Sequence, residues 1–406
     1  MHYRRLYGAI ALSLCALSVN SYARIKLISL PVREHIEIQL ENKHTTIIEE
    51  ERIVPLKKGR NSIDFSWQNT AIKPETIVFR VLPDTASAQS LKVNVLSVSY
   101  PPNESALTWQ VSASQSGSAR VRISYAIHRL EKQYHYLARV NADETAMELF
   151  QYIRVNNQSG EQFLNAGLNT GNGRPVQLSI GLNETQEYLN QQFSSVPLEK
   201  TLTVNAAAMG YRDRSQDKLN VLMHYQLHND ASHKLGKSPL AAGKYRIYQQ
   251  DKQGGSVFIG EDQGQYTAVD DSQKLFIGKA RDVVVRRIIE RKKRKEINGN
   301  LYNMDVLVKY EIENFKNTPV TLTIEESLAY LKQESGLYDS QSFIEWQIGK
   351  DTSFKTRPLK EETSADKLVY QITLPAKRKT GQPVKVQPRL NILFNNLFSS
   401  SISRVR

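Results

Sequence analysis

The sequence predicts an all-β protein: tandem antiparallel β-sandwich domains of immunoglobulin-like kind, with little helix. Three observations carry that prediction. Apolar and polar residues alternate over many short runs, the runs are rich in Val, Ile, Thr and Tyr, and polar turn clusters separate them. Ile36-Glu37-Ile38-Gln39-Leu40 and Val121-Arg122-Ile123-Ser124-Tyr125 keep an apolar residue at every second position, as do Thr201 to Val204 and Val320-Thr321-Leu322-Thr323-Ile324. A period of two puts alternate side chains on one face of a pleated strand, so each run reads as a strand with one buried face. Lys58-Gly59-Arg60-Asn61, Pro101-Pro102-Asn103, Ser116-Gly117-Ser118, Gly254-Gly255 and Asn298-Gly299-Asn300 supply the turns. Many short strands joined by polar turns favour antiparallel sandwiches over a parallel α/β sheet. One short helix is expected, from Asn183 to Phe193, with Asn183 as N-cap and Gln186 closing a weak capping box.

The N-terminal element reads as an export signal over residues 1–23. Arg4 and Arg5 form a positive start, and Leu6 to Val19 is an uncharged, largely apolar run. Ser21-Tyr22-Ala23 then places small side chains three and one residues before a cut between Ala23 and Arg24. As a helix that apolar run rises only about 21 Å, short of the roughly 30 Å hydrocarbon core, so cleavage is favoured over anchoring. Cys15 invites a lipoprotein reading, but Leu14 stands where that signal needs Gly, Ala or Ser, and the cysteine lies inside the apolar run. A periplasmic or secreted protein is expected, with no transmembrane segment in the mature chain. Removing Arg4 and Arg5 lowers the formal charge from +13 to +11. It also leaves no cysteine, which excludes thiolate catalysis and disulfide staples. A basic exported protein suits anionic glycan, lipopolysaccharide or another envelope protein as partner, and nucleic acid does not match the compartment.

Three β regions are expected behind the signal. They are an N-terminal β domain over 24–130, a middle β region over 131–235 and a C-terminal sandwich over 236–398, followed by a frayed tail over 399–406. His233 to Pro239 is the polar stretch behind the second boundary. One local pattern recurs: an alternating strand ends in Asn, and a short polar turn leads to the next strand. It appears at Leu40-Glu41-Asn42, Val155-Asn156-Asn157, Leu227-His228-Asn229 and Ile312-Glu313-Asn314. Asn at such sites can bond its own turn backbone and tolerates left-handed angles.

The stretch from Val155 through Gly160 and Glu161, followed by Phe163, Asn165, Leu168 and Arg174-Pro175, resembles the strand–Asn–Gly–Glu–aromatic signature of domain-of-unknown-function family 4139. That family occurs in the C-terminal half of mucoidy-inhibitor-A-like secreted proteins. Leu240 to Gly243 running into Tyr245 to Tyr248, Leu275 to Asp282 around Gly278, and Val308 to Asn314 followed by Thr318 to Thr321 extend the resemblance over about residues 130–375. It implies an all-β exported protein whose biochemical activity is not established. Fuller members carry a long coiled coil between two β regions, and this sequence has no sustained heptads.

Catalytic and metal patterns are weak. There is no Gly-x-Ser-x-Gly elbow. Ser215-Gln216-Asp217-Lys218 or Ser364-Ala365-Asp366-Lys367, with Lys379-Thr380-Gly381, mimics two elements of the penicillin-recognising serine enzymes. Neither serine opens a credible helix, and no Ser-Asp-Asn intervenes. His224, His228 and His233 lie close in sequence, but the first two sit on an alternating run, about 13 Å apart on a strand and too far to share one ion. Tyr134-His135-Tyr136 reads as a strand with an inward aromatic face. Glu49-Glu50-Glu51 and Asp270-Asp271 read as acidic runs beside turns, without calcium-loop spacing. No catalytic, cofactor-binding or metal residue is singled out, and no cofactor is expected.

Arg281 to Lys295 is the most unusual stretch. Its β-branched residues Val283, Val284, Val285, Ile288 and Ile289 favour a long strand over an amphipathic helix, running into a basic hairpin turn. Arg286, Arg287, Arg291, Lys292, Lys293, Arg294 and Lys295 form a candidate anion-binding patch. The competing reading is a solvated turn whose charges guard a sheet edge. Together these features point to a non-enzymatic envelope protein that binds or scaffolds anionic polymers or a protein partner. A secreted hydrolase of glycan or cell wall is the alternative, and an assembly subunit using an open sheet edge is a third.

Overall fold

The computed structural model describes residues 27–41, 45–83, 91–171, 175–207, 218–251, 253–337 and 345–398. The export signal with Cys15, the Ala23–Arg24 cut, Asn42, Arg174, Ser215 and the 399–406 tail lie outside them. Strand makes up 62% of the described residues and helix 4%, so they form an all-β fold, in several largely antiparallel sheets. The chain divides into two compact units. One takes residues up to 131 together with 157–169 and 175–184, and the other takes the remainder.

The first unit holds two sheets. A four-stranded sheet has the order β1-β4-β7-β6, from β1 (Leu27–Ser29), β4 (Gly59–Ser66), β6 (Val93–Ser99) and β7 (Ala106–Ala113). A six-stranded sheet has the order β12-β11-β2-β3-β8-β5. Its strands are β2 (His35–Gln39), β3 (Thr46–Leu56), β5 (Val78–Val81), β8 (Gly117–Ile127), β11 (Phe163–Asn169) and β12 (Val176–Ile180). Alternation decides the faces: Ile36 and Ile38 on β2, and Val121, Ile123 and Tyr125 on β8, are all buried. Aromatic rings join the two sheets, with Phe65 centred 5.8 Å from both Trp109 and Tyr125 and Phe79 centred 4.8 Å from Trp109. Burying each such side chain contributes about 1.5–3 kcal/mol. The expected 24–130 domain is not closed on its own, because β11 pairs in parallel with β2 and residues 157–169 and 175–184 join this unit.

The second unit holds three sheets. The first, in the order β13-β10-β9-β17-β18, uses β9 (Leu130–Val140), β10 (Ala146–Asn157), β13 (Thr185–Pro197), β17 (Gly243–Gln250) and β18 (Ser256–Gly264). The second has the order β19-β16-β14-β22-β24, from β14 (Glu199–Asn205), β16 (Leu222–His228), β19 (Ser272–Lys279), β22 (Val320–Ser327) and β24 (Lys367–Leu374). The third runs β15-β20-β21-β26-β23, with β25 also beside β21. Its strands are β15 (Lys218–Leu219), β20 (Val283–Asn298), β21 (Leu301–Asn314), β23 (Glu345–Ile348), β25 (Val384–Val386) and β26 (Arg389–Phe398). The middle sheet serves two cores. Tyr225 and Leu227 join Tyr136, Ala138, Leu149 and Ile247 of the first sheet, whereas Leu202, Val204, Leu322 and Ile324 join Val285, Val306, Val308 and Ile392 of the third. A break near residue 236 does not separate compact units, since β17 pairs in parallel with β9 and closes one sheet from both sides of it.

One local expectation is corrected. Asn183 to Phe193 is not a helix: Asn183 turns the chain at φ 56°, and β13 then pairs with β10, Tyr188 opposite Ile153. A weak capping box is outweighed by pairing a whole strand along the β10 edge. The only α-helix among the described residues is α1 (Leu328–Glu334), capped by the Ser327 hydroxyl, which accepts from the Tyr330 N–H.

The recurring Asn is a built corner at the three described sites. Asn157, Asn229 and Asn314 are all buried. The Asn157 Nδ2 donates to the Glu161 and Gly181 carbonyls while its Oδ1 accepts from the Ser159 N–H and hydroxyl. The Asn229 amide serves Ser238, Thr267 and Ala268 carbonyls and accepts from the Gly236 N–H. None of the three has positive φ, so their value lies in hydrogen bonding and not in left-handed backbone.

Candidate anion-binding strand

The β20–β21 hairpin positions every residue of the candidate basic patch. β-branched residues start β20, and the Asn298-Gly299-Asn300 turn, with Gly299 at φ 56°, reverses the chain. The five residues Arg291 to Lys295 therefore lie within the strand and not in its turn. A register shift between Ile289 and Arg291 inserts one extra residue and resets the alternation. Before the shift Val283, Val285, Arg287 and Ile289 share the core face. After it, Lys292, Arg294 and Glu296 stand on that face, opposite Val306, Met304 and Tyr302. Arg291, Lys293 and Lys295 stand on the outer face, opposite Leu307, Asp305 and Asn303.

The seven cations thus have different environments. Arg287 is buried and does not belong to any exposed patch. Its Nε and Nη2 donate to Glu326 at 2.9 and 2.8 Å, and its Nη1 lies 2.7 Å from Glu334. Burial alone would lower its pKa, but Glu326, Tyr310 and Glu334 hold it well above the usual range. Arg291 is held by Asp305 at 3.0 Å and Asp351 at 2.7 Å. Lys292 donates to the Glu334 carbonyl at the C-terminus of α1, and Arg294 lies 3.9 Å from the Tyr302 ring centroid and pairs with Glu296. Arg286, Lys293 and Lys295 are exposed and have no ion pair among the described residues. Arg286 lies roughly 20 Å back along the strand. The exposed cations without an ion pair near the hairpin end are therefore Lys293 and Lys295, on one face.

The remaining titratable clusters are structural in geometry. Glu49-Glu50-Glu51 lies in the middle of β3, not beside a turn. Glu50 is fully buried against Arg33 at 2.5 Å and Arg52 at 2.9 Å. Arg122, hydrogen-bonded to Glu51 at 2.6 Å, holds that carboxyl below its ordinary value, assisted by Arg120. A lowered carboxyl pKa contributes stability that is present above the ordinary value and lost as pH falls through the folded one. Urea midpoints of the first unit are expected to fall as pH drops below about 4.5. Arg122→Gln should flatten that part of the profile, and an unchanged profile would count against the pair.

His233 resembles part of a hydrolase triad, but its Nδ1 meets both Asp230, at 2.8 Å, and Ser232, at 3.0 Å. A triad needs the acid and the nucleophile on opposite ring nitrogens. Here Asp230 caps the short 3-10 turn at Ala231–His233. The His224 ring packs against Phe276, and burial lowers its pKa. His228 lies beside His233, ring centroids 4.9 Å apart. Tyr136 is buried, stacked on Tyr245 at 4.1 Å, while His135 stacks on Tyr152 and meets Glu187 at 2.8 Å. Ser364 and Lys367 form a backbone bridge, and Lys379-Thr380-Gly381 is a turn with Gly381 at φ 83°. Every described carboxylate with a resolved shift is lowered: Glu51, Glu144, Glu187, Asp230 and Glu290. A general acid needs the opposite.

No family model matches the chain, and no curated protein matches it. The resemblance drawn from Val155 to Glu161 and its companion stretches rests on those residues alone.

Proposed function

We propose that the chain is an exported, non-catalytic envelope module that holds a polyanion on the outer face of β20, with Lys293 and Lys295 as its cations. The observation that carries this reading is the contrast within one strand. Arg287 and Arg291 are consumed by carboxylates, while Lys293 and Lys295 stand exposed, two residues apart on one face, with no ion pair among the described residues. Residues two apart on a strand are about 7 Å from each other, a spacing that suits successive phosphates or carboxylates of a polymer. The mature chain's net charge of +11, the full +13 less Arg4 and Arg5, adds attraction at longer range. Export, the periplasmic or secreted location and the resemblance to family 4139 belong to the same proposal, supported by residues 1–23 and by the quoted motifs.

The test is binding of the mature chain to lipopolysaccharide or an anionic glycan across a salt series. Exposed charges are screened within about 8 Å at physiological salt, so affinity should fall steeply as salt rises. Lys293→Ser with Lys295→Ser should weaken low-salt binding about thirtyfold, on the order of 1 kcal/mol for each cation at a surface. Arg286→Ser should change it little. No binding at low salt, or no loss in the double variant, overturns the reading.

A further inference from the structure

The end of the β20–β21 hairpin carries a feature that edge protection does not call for. Charges along an open strand edge keep it from pairing with another chain, and Lys293 and Lys295 serve that end. Exposed apolar side chains at the same place work against it, yet Ile297 is 49% and Phe398 56% exposed. Phe398 lies directly opposite Leu301, two residues along β21 from Asn303, which faces Lys295. Lys293, Lys295, Leu301 and Phe398 therefore share one face, cations first and apolar groups at the tip, with Ile297 at the turn.

We propose that this tip is a docking surface for an anionic lipid bilayer. Lys293 and Lys295 meet headgroup phosphates, and Ile297 and Phe398 enter the boundary between headgroups and acyl chains. The proposal rests on the anion-binding reading of β20 and names its partner. A soluble polyanion offers nothing to Ile297 and Phe398, whereas a bilayer offers charge and an apolar layer in the order in which the strand presents them. The spacing matches as well. Lys295 and Lys293 lie about 7 and 13 Å behind Ile297 along the strand, and surface-bound elements bury their apolar side about 5–10 Å deep.

The experiment uses the mature chain with three probes: vesicles containing phosphatidylglycerol, vesicles of phosphatidylcholine alone, and dextran sulfate. Co-sedimentation should favour the anionic vesicles at least tenfold. Ile297→Ser with Phe398→Ser should lose about tenfold on those vesicles and nothing on dextran sulfate, whereas Lys293→Ser with Lys295→Ser should lose on both. All four positions are exposed, and unchanged melting curves would show that the variants fold. As an independent readout, Ile297→Trp should shift its emission to the blue with anionic vesicles only. Binding to dextran sulfate without vesicle preference overturns the membrane inference and leaves the anion reading standing. Binding to neither probe overturns both. Vesicle binding that ignores the serine pair, or a tryptophan that stays in water, also overturns the inference.

Discussion

Arg287→Met is expected to destabilise the second unit by about 3–5 kcal/mol, the cost of leaving one partner of a buried ion pair uncompensated. Arg287 is 4% exposed and Glu326 fully buried. Glu326 on β22 accepts two hydrogen bonds from Arg287 on β20 and one from the Tyr310 hydroxyl on β21. The pair thus ties the middle sheet to the third across their shared core. Removing the guanidinium leaves Glu326 with only the tyrosine, in a site that water does not reach. The buried carboxylate without its cation is the costly species and the neutral carboxyl is not, so Arg287→Met should approach the parent protein in acid and fall behind it near neutrality. Glu326→Leu should cost less, because Arg287 keeps Glu334 at 2.7 Å while the Tyr310 hydroxyl loses its acceptor. The double variant Arg287→Met with Glu326→Leu should be more stable than either single one. Additive losses in denaturant titrations would show that the two groups are not coupled.

The strands were legible because a buried face imposes a period of two, and Ile36 to Leu40, Val121 to Tyr125 and Val283 onward all show it. What β20 does with its charges was not. A one-residue shift near Glu290 puts Lys292 and Arg294, and not Lys293 and Lys295, on the face that Val285 and Arg287 occupy, and no residue type marks that shift in advance. Arg287 looks like its neighbours until Glu326, 39 residues away, reaches it across the core. The parallel pairings of β2 with β11 and of β9 with β17 escape local reading for the same reason. They join segments more than 100 residues apart, so boundaries near 130 and 236 that follow local composition miss the exchange of strands. At seven residues, α1 is too short for a 3.6-residue period to show. The turn asparagines were the reverse case: a small, repeated signal with a large structural consequence.

Among them, Asn314→Asp gives a test in which shape is kept and chemistry reversed. Asn314 is fully buried at the end of β21. Its Nδ2 donates to the Thr318 carbonyl at 3.2 Å and to the Pro375 carbonyl, just past β24, at 2.8 Å, while its Oδ1 accepts from the Lys316 N–H at 2.9 Å. One side chain therefore closes its own turn and joins two sheets at their ends. Aspartate keeps the acceptor but turns the amide's donor edge into a second oxygen facing two carbonyls. The carboxylate is then buried, repelled by both and stripped of water, so a loss of about 3 kcal/mol or more is expected near neutral pH. Protonation returns one donor. The folded pKa of that aspartate should stand above its ordinary value of about 3.9, so the deficit relative to the parent should shrink as pH falls through the folded pKa. Asn314→Ala separates the two contributions: it leaves the same carbonyls unpaired without adding charge, and should cost about 2 kcal/mol at every pH. Equal losses for the two variants, with no pH dependence in the aspartate, would mean that water already reaches the corner and that the amide's donor edge is not what holds it.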